Sequence, residues 1–339
     1  MAWTSAGIWG TLQGKSGECS GARQGLGTCG LPWCTASLPC QGVSSQAVVT
    51  VLRNGRAMSM KVTVWGARGS VPTPGAEYDR YGGDTTCLSL ETEDGTMVIL
   101  DAGTGLRRLG VGLVRQTPRR LAFLLSHAHW DHVIGFPFFK PLYRKGFQLD
   151  FYGCMHAQES VRGMLEQTMQ APFFPVDLSR VGATLTFHEQ CGDRCHIDGL
   201  TVRRFPLSHP NGGCGFRIEH DGRSVVFFPD NEMTFDHKGG RSFAGYADFC
   251  RGCDLLIHDA EYRAEEYAAF SRGWGHSVFT DTVRLGLEAG AARLLLWHIN
   301  QDRDDVKADA LQEDARAAVR AAGSSMACDM AATGMVIEI

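Results

Sequence analysis

Residues 121–132 read LAFLLSHAHWDH, a fully apolar run that closes on Ser126 and then places three histidines and one aspartate within six positions. In an extended segment side chains two apart leave the same face, so His127 and His129 point together. Asp131 and His132 lie just beyond, where the chain can turn. Imidazole and carboxylate suit zinc and other first-row divalent ions. Four such groups on one loop suit two ions roughly 3.5–4 Å apart that share a hydroxide. The bland alternative is an exposed polar run that happens to contain histidine.

One loop cannot complete two metal sites, so further ligands are expected where other strands end. Three apolar runs close on suitable residues: FPLSHP on His209, VVFFPD on Asp230 and LLLWHI on His298. Singly, each has an ordinary reading, the histidines as loop residues and the aspartate as a turn former. Together they form a set of strand-end ligands.

The surrounding pattern predicts the scaffold. From Met60 onward KVTVWG, TTCLSLET, TMVILDAG and LAFLLS read as strands, bounded by Gly, Asp and Thr. ATLTFHE, LTVRRFPLSH, GCGFRIEH, SVVFFPD, CDLLIHDA and RLLLWHIN follow, with GCGFRIEH and SVVFFPD joined through Asp-Gly, a favoured hairpin turn. AQESVRGMLEQTMQ, SVFTDTVRLGLEAG and VKADALQEDARAAVRAAG read as helices, the last ending at Gly323. Runs of strands each followed by helices predict two packed sheets with helices outside.

Composition bounds the function. The chain has 339 residues, 44% hydrophobic and 21% charged, with a formal net charge of −4, so no global basic field exists to hold duplex DNA. No stretch approaches the roughly 20 apolar residues of a membrane span. Residues 1–57 are rich in Gly, Ser, Cys and Trp and hold Glu18 as their only acidic residue. They show no helical or strand period and no signal-peptide order. The expectation is a disordered extension or a misplaced start before a hydrolase domain at 58–339. Cys19, Cys29, Cys34 and Cys40 lack the paired spacing of structural zinc sites. Cys250 and Cys253 have that spacing but no matching second pair. The other cysteines are read as reduced thiols of a cytoplasmic protein.

The ordered set LDAGTG, HAHWDH, SHP with GCGFRIE, VVFFPD, LLIHDA, GHS and LLLWHIN resembles the metallo-β-lactamase fold over about residues 60–322. The resemblance implies an α+β architecture, an αββα sandwich of two mixed sheets with a dinuclear metal site along one edge. It implies one metal held by His127, His129 and His209, a second by Asp131, His132 and His298, and Asp230 bridging both. Asp101 matches a residue that braces the metal loops without ligating. The ions implied are two, zinc first and manganese second.

Fold membership does not fix the substrate. GWGHS at 273–277 is similar to the Gly-His-Ser element of the phosphodiesterase branch, whose histidine contacts the scissile phosphate or protonates the leaving oxygen. Asp131 and His276 are therefore the catalytic candidates. The carboxylate-rich ligand set suits the same branch, and GARGSVPTPG, YGGDTTCLSL and WHINQDRDD resemble its bacterial members related to cyclic-nucleotide and small cyclic phosphodiesterases. Two departures stand out: FPDNE where ribonuclease Z-type members carry Gly-Asp-Thr, and Asp84 where Asn is usual.

The expected reaction is in-line attack of a metal-bridging hydroxide on a cyclic nucleotide or another small phosphodiester. The competing reading is ribonuclease Z, the tRNA 3′-end endonuclease. Its bacterial form inserts a long basic arm between the positions matching His209 and Asp230, where this chain has room for a hairpin only. A glyoxalase-type thioesterase would share the ligands but not need His276. A homodimer is compatible with the resemblance. The aromatic stretches FPFFKPLY and APFFPVDL are expected mainly in the core.

Overall fold

A computed structural model describes residues 48–50, 60–153, 160–189 and 192–339. The first seven strands lie in one sheet: β1 (Val48–Thr50), β2 (Met60–Gly66), β3 (Cys87–Thr92), β4 (Met97–Leu100), β5 (Arg120–Leu124), β6 (Gln148–Tyr152) and β7 (Thr184–His188). The next seven form a second sheet: β8 (Arg194–Ile197), β9 (Leu200–Pro206), β10 (Cys214–His220), β11 (Arg223–Phe228), β12 (Leu255–Asp259), β13 (Arg293–Trp297) and β14 (Ala327–Met330). The last strand, β15 (Val336–Glu338), returns to the first sheet, giving the orders β1-β15-β2-β3-β4-β5-β6-β7 and β14-β13-β12-β11-β10-β9-β8. Both sheets are mixed, with parallel pairing along β4-β5-β6-β7 and β11-β12-β13-β14.

The helices are α1 (Gly105–Leu113), α2 (Trp130–Val133), α3 (Val161–Thr168), α4 (Phe243–Cys250), α5 (Ala264–Glu266), α6 (Phe279–Ala289) and α7 (Asp305–Ala321). Strand alternation sorts the core into layers. Leu255 and Ile257 of β12 join Val62, Leu90, Phe216 and Phe227 between the sheets, while Leu256 turns outward to Val283 and Leu311 of α6 and α7. On the far side Phe123 and Phe151 pack with Leu106 of α1 and Leu165 of α3. The result is the expected αββα sandwich.

Local signals account for much of this. The β10–β11 hairpin turns on Asp221 and Gly222, both at positive φ (46° and 77°), the geometry that the Asp-Gly pair favours. Helix α7 starts with the Asp304 side chain accepting from the Lys307 amide at 2.8 Å, and buries Ala308, Leu311, Ala315 and Val319. It stops before Gly323 at φ 65°.

Several elements were not legible. Val48–Thr50 lie in the segment expected to hold no strand, yet pair in parallel with Val336–Glu338, a tertiary partner that local pattern does not reveal. The rest of the reading of residues 1–57 lies outside the described residues. Helix α1 carries three glycines in GLRRLGVGL and has poor intrinsic propensity. It is held by burial of Leu106, Leu109 and Leu113. No helix among the described residues is long and apolar enough to cross a membrane. Phe136 and Phe139 are buried as expected, but Phe138 and Phe173 are 55% and 75% exposed.

Candidate metal centre

Within each sheet the strands that carry the candidate residues run in one direction, and the residues that follow their C-terminal ends converge. Asp101 follows β4, His127 and His129 follow β5, and Asp131 and His132 sit in the single turn of α2. His209 follows β9, Asp230 follows β11, and His298 follows β13. Ligand sites in sheets with parallel strands favour these ends.

The seven candidate ligands converge. His127, His129, His209 and Asp230 present ligand atoms within 4.8 Å of one another, as do Asp131, His132, Asp230 and His298. Asp230 belongs to both groups. Its Oδ2 lies 3.5 Å from His127 Nε2 and 3.4 Å from His298 Nε2, while Oδ1 lies 3.2 Å from His132 Nε2. Asp131 Oδ2 stands 3.3 Å from His132 Nε2 and 3.2 Å from His298 Nε2. His129 Nδ1 is 3.0 Å from His209 Nε2. All but His129 are buried.

The hydrogen bonds orient the rings. His132 Nδ1–H donates to Asp101 Oδ2 at 2.8 Å, His209 Nδ1–H to the Gly275 carbonyl at 2.9 Å, and His298 Nδ1–H to Glu261 Oε2 at 2.9 Å. Each ring thereby turns Nε2 inward, the arrangement in which a carboxylate or carbonyl fixes the tautomer of a metal-binding imidazole. Asp101, fully buried, also accepts from the Ser126 amide at 2.7 Å and hydroxyl at 2.8 Å, which ties it to the start of the loop that carries His127. Two positions require glycine. A Cβ on Gly69 would lie 2.3 Å from the His298 ring, and one on Gly275, at φ 101°, 2.1 Å from His209.

The electrostatics fit a cation. Burial holds His127 well below the ordinary imidazole value and His209 down at about 3, so both keep a lone pair. Burial opposes charge on His132 and His298 as well, but there the carboxylates prevail. Asp131 and Asp230 raise His132, and Asp230 and Glu261 raise His298, well above the usual range. Positive charge is thus favoured between Asp131 and Asp230. His127 Nε2, His132 Nε2 and Asp230 Oδ1 are buried and have no hydrogen-bond partner. Buried polar atoms without hydrogen bonds at the meeting point of five histidines and two carboxylates fit a divalent metal.

His276 stands beside this cluster. Its ring stacks on His298 at 4.2 Å, with the His209 ring 5.2 Å away. Nδ1–H donates to Asp259 Oδ2 at 2.9 Å and lies 3.3 Å from Glu261 Oε2, which leaves Nε2 as the second donor. Burial works against its charge, but Glu261 and Asp259 outweigh burial and the neighbouring His298 and lift it to about 9. Glu261 itself is brought down to about 2 by His276 and His298 against the effect of burial.

Asp259 and Glu261 were missed in the sequence, although two acidic residues closing the buried run LLIHDAE are a visible signal. GARGS, YGGD and WHINQDRDD meet through buried Arg68, which donates to the carbonyls of Gly82, Asn300 and Arg303. Asp84 accepts from the Thr104 hydroxyl at 3.1 Å and pairs with Arg108. Cys250 and Cys253 pack in the core, their thiols pushed up by burial, and join no metal-binding group among the described residues.

The family follows from comparison with known proteins. A model described as the beta-lactamase superfamily domain matches residues 96–299. Ribonuclease Z of Haloarcula marismortui is 25% identical over 308 residues, covering 76% of this chain and 92% of that protein. The crystal structure of the metallo-beta-lactamase fold protein YhfI from Bacillus subtilis is similar with a TM-score of 0.60 at 20% identity, over 83% of this chain and 100% of that one. A diphosphatase of the PhnP family is similar with a TM-score of 0.59 at 17% identity, over 83% and 98%. The chain belongs to the beta-lactamase superfamily, as a metal-dependent hydrolase of the metallo-β-lactamase fold.

Proposed function

We propose that the protein is a phosphodiesterase acting on a cyclic nucleotide or another small phosphodiester, with two divalent ions, zinc first and manganese second. His127, His129 and His209 would hold one ion and Asp131, His132 and His298 the other, with Asp230 shared. Bound there, divalent ions lower the pKa of water and neutralise charge on phosphoryl oxygens. Asp101 and Glu261 hold the imidazoles of His132 and His298 in the ligating tautomer.

The observation that carries the reading is His276. Asp259 and Glu261 engage its Nδ1–H and orient the ring against the metal cluster with Nε2 free to serve as a donor to a leaving alkoxide. A thioester, whose leaving thiolate is stabilised without such a donor, gives it no task. Small substrates are favoured because only the β10–β11 hairpin, with its two-residue turn, lies between His209 and Asp230. That connection offers no arm for a folded RNA. A cytoplasmic location goes with the reduced, buried thiols of Cys87, Cys250, Cys253 and Cys328.

A second reading, a tRNA 3′-end nuclease, is favoured by the match to ribonuclease Z of H. marismortui. One panel separates the readings: cyclic mononucleotides, linear dinucleotides, precursor tRNA and a chromogenic thioester, assayed with Zn²⁺ and Mn²⁺. Turnover of cyclic or linear small diesters with precursor tRNA uncut is the expected result. Efficient tRNA cleavage without it supports the second reading, and thioester hydrolysis alone refutes both.

A further inference from the structure

The departure FPDNE finds its use in the loop that carries His276. Glu232 is fully buried. Its Oε1 accepts from the Tyr267 hydroxyl at 2.6 Å and the Gly273 amide at 2.7 Å, and its Oε2 accepts from the Gly275 amide at 2.7 Å and contacts His237 Nε2 at 2.7 Å. One carboxylate two residues past the shared Asp230 thus fixes the backbone on both sides of Trp274. Phe235 packs on the same loop, 3.4 Å from where a Cβ of Gly273 would lie.

A loop so tightly held nonetheless exposes its largest apolar side chain. Trp274 is 58% exposed and its neighbour Phe270 59%, with ring centroids 6.0 Å apart. Rings continue inward from there: Phe270 to Tyr262 at 6.1 Å, and Tyr262 to His276 at 6.2 Å. Trp274 lies two residues from His276, so their Cα atoms are at most about 7 Å apart. Burying a tryptophan favours folding, and leaving one exposed on a rigid loop beside a catalytic candidate gives up that gain.

We propose that Trp274, backed by Phe270, is a stacking platform for a nucleobase, so that the phosphodiester cleaved at the metal centre belongs to a nucleotide. The inference rests on the phosphodiesterase reading and names its substrate class. A flat heteroaromatic ring is the partner that two exposed rings recognise best without hydrogen-bond donors. A base one sugar away from the scissile phosphate can reach a ring two residues from His276. Glu232 keeps the platform in place before substrate arrives, which lowers the ordering cost of binding.

The test compares the metal-reconstituted full chain with W274A and W274F. The first readout is the ratio of kcat/KM for adenosine 2′,3′-cyclic phosphate to that for methyl riboside 2,3-cyclic phosphate, which lacks the base. The linear dinucleotide ApA provides a second arm that separates a free nucleotide from an RNA end. W274A should lower the base-to-baseless ratio about 5- to 150-fold, the range of base–aromatic stacking, and W274F should recover most of it. The second readout is calorimetric binding of AMP against ribose 5-phosphate, a preference that W274A should erase. Should no phosphodiester turn over while that AMP preference persists and depends on Trp274, the phosphodiesterase reading fails and the platform stands. If W274A leaves both the ratio and the AMP preference at wild-type values, the platform is refuted.

Discussion

Asp101→Asn isolates the orientation of a single candidate ligand. Asp101 sits at φ 58°, a left-handed conformation that Asn tolerates, whereas Ala there costs about 1–2 kcal/mol. The carboxylate accepts three hydrogen bonds: Oδ1 from the Ser126 amide, and Oδ2 from the Ser126 hydroxyl and His132 Nδ1–H. An amide can keep the oxygen toward the Ser126 amide only by turning its NH₂ toward His132. Nδ1 must then accept, the proton moves to Nε2, and the atom that faces Asp131 and Asp230 loses its lone pair. The same logic governs a triad aspartate replaced by asparagine. The opposite amide orientation sets two N–H groups against each other inside the protein, at about 1–3 kcal/mol. Metal affinity at the group of Asp131, His132, Asp230 and His298 should fall 10–100-fold, or about 1.4–2.8 kcal/mol. The group of His127, His129 and His209 should keep its ion. Chelator competition on the reconstituted protein reads both constants, and nitrogen-15 NMR of the histidines reads the tautomer. Two unchanged affinities with His132 still protonated on Nδ1 would refute the reasoning.

His276→Ala should retain the metal content and lower phosphodiester turnover roughly 10²–10⁴-fold, measured by elemental analysis beside steady-state kinetics. Asp230→Ala, which removes the carboxylate common to both groups, should lose both ions and activity together. His129→Ala, touching one group only, should also abolish activity but keep one ion more tightly than the other. Glu189 accepts from the Ser160 hydroxyl and the Val161 and Arg162 amides, at the start of α3. Burial opposes, but these bonds hold its pKa below 4.5. A depressed folded-state value means stability present above pH 4.5 and lost as pH falls through the lower folded value. Thermal melts from pH 7 to 3 should therefore show E189Q less stable at neutral pH, the gap to wild type closing in acid.

The candidate site was more legible than the fold around it, for a physical reason. The candidate ligands are rare residue types placed at strand ends, so HAHWDH, His209, Asp230 and His298 stand out against apolar runs. Their convergence needs only that parallel strands open on one edge. What orients them is less visible. Glu261 and Asp259 act through hydrogen bonds to His298 and His276 across more than a dozen intervening residues, and Gly275 acts through a carbonyl that any residue possesses. In the scaffold, amphipathic α6 and α7 and the Asp-Gly hairpin announce themselves locally. Glycine-rich α1 and the short strands β1, β14 and β15 depend on neighbours distant in sequence. Glu232 was noticed as a departure from a family pattern, but its role in holding Gly273 and Gly275 could be read only in three dimensions.

The central claim is that one edge of the sandwich holds two divalent ions that together support phosphodiester hydrolysis. Metal-stripped protein titrated with Zn²⁺ or Mn²⁺, with bound metal and hydrolysis of a small phosphodiester followed in parallel, tests it most directly. Activity should be absent without metal, rise with loading and saturate at two ions per chain. A metal-free chain that still cleaves the diester, or activity complete at one ion with no second bound, would contradict it.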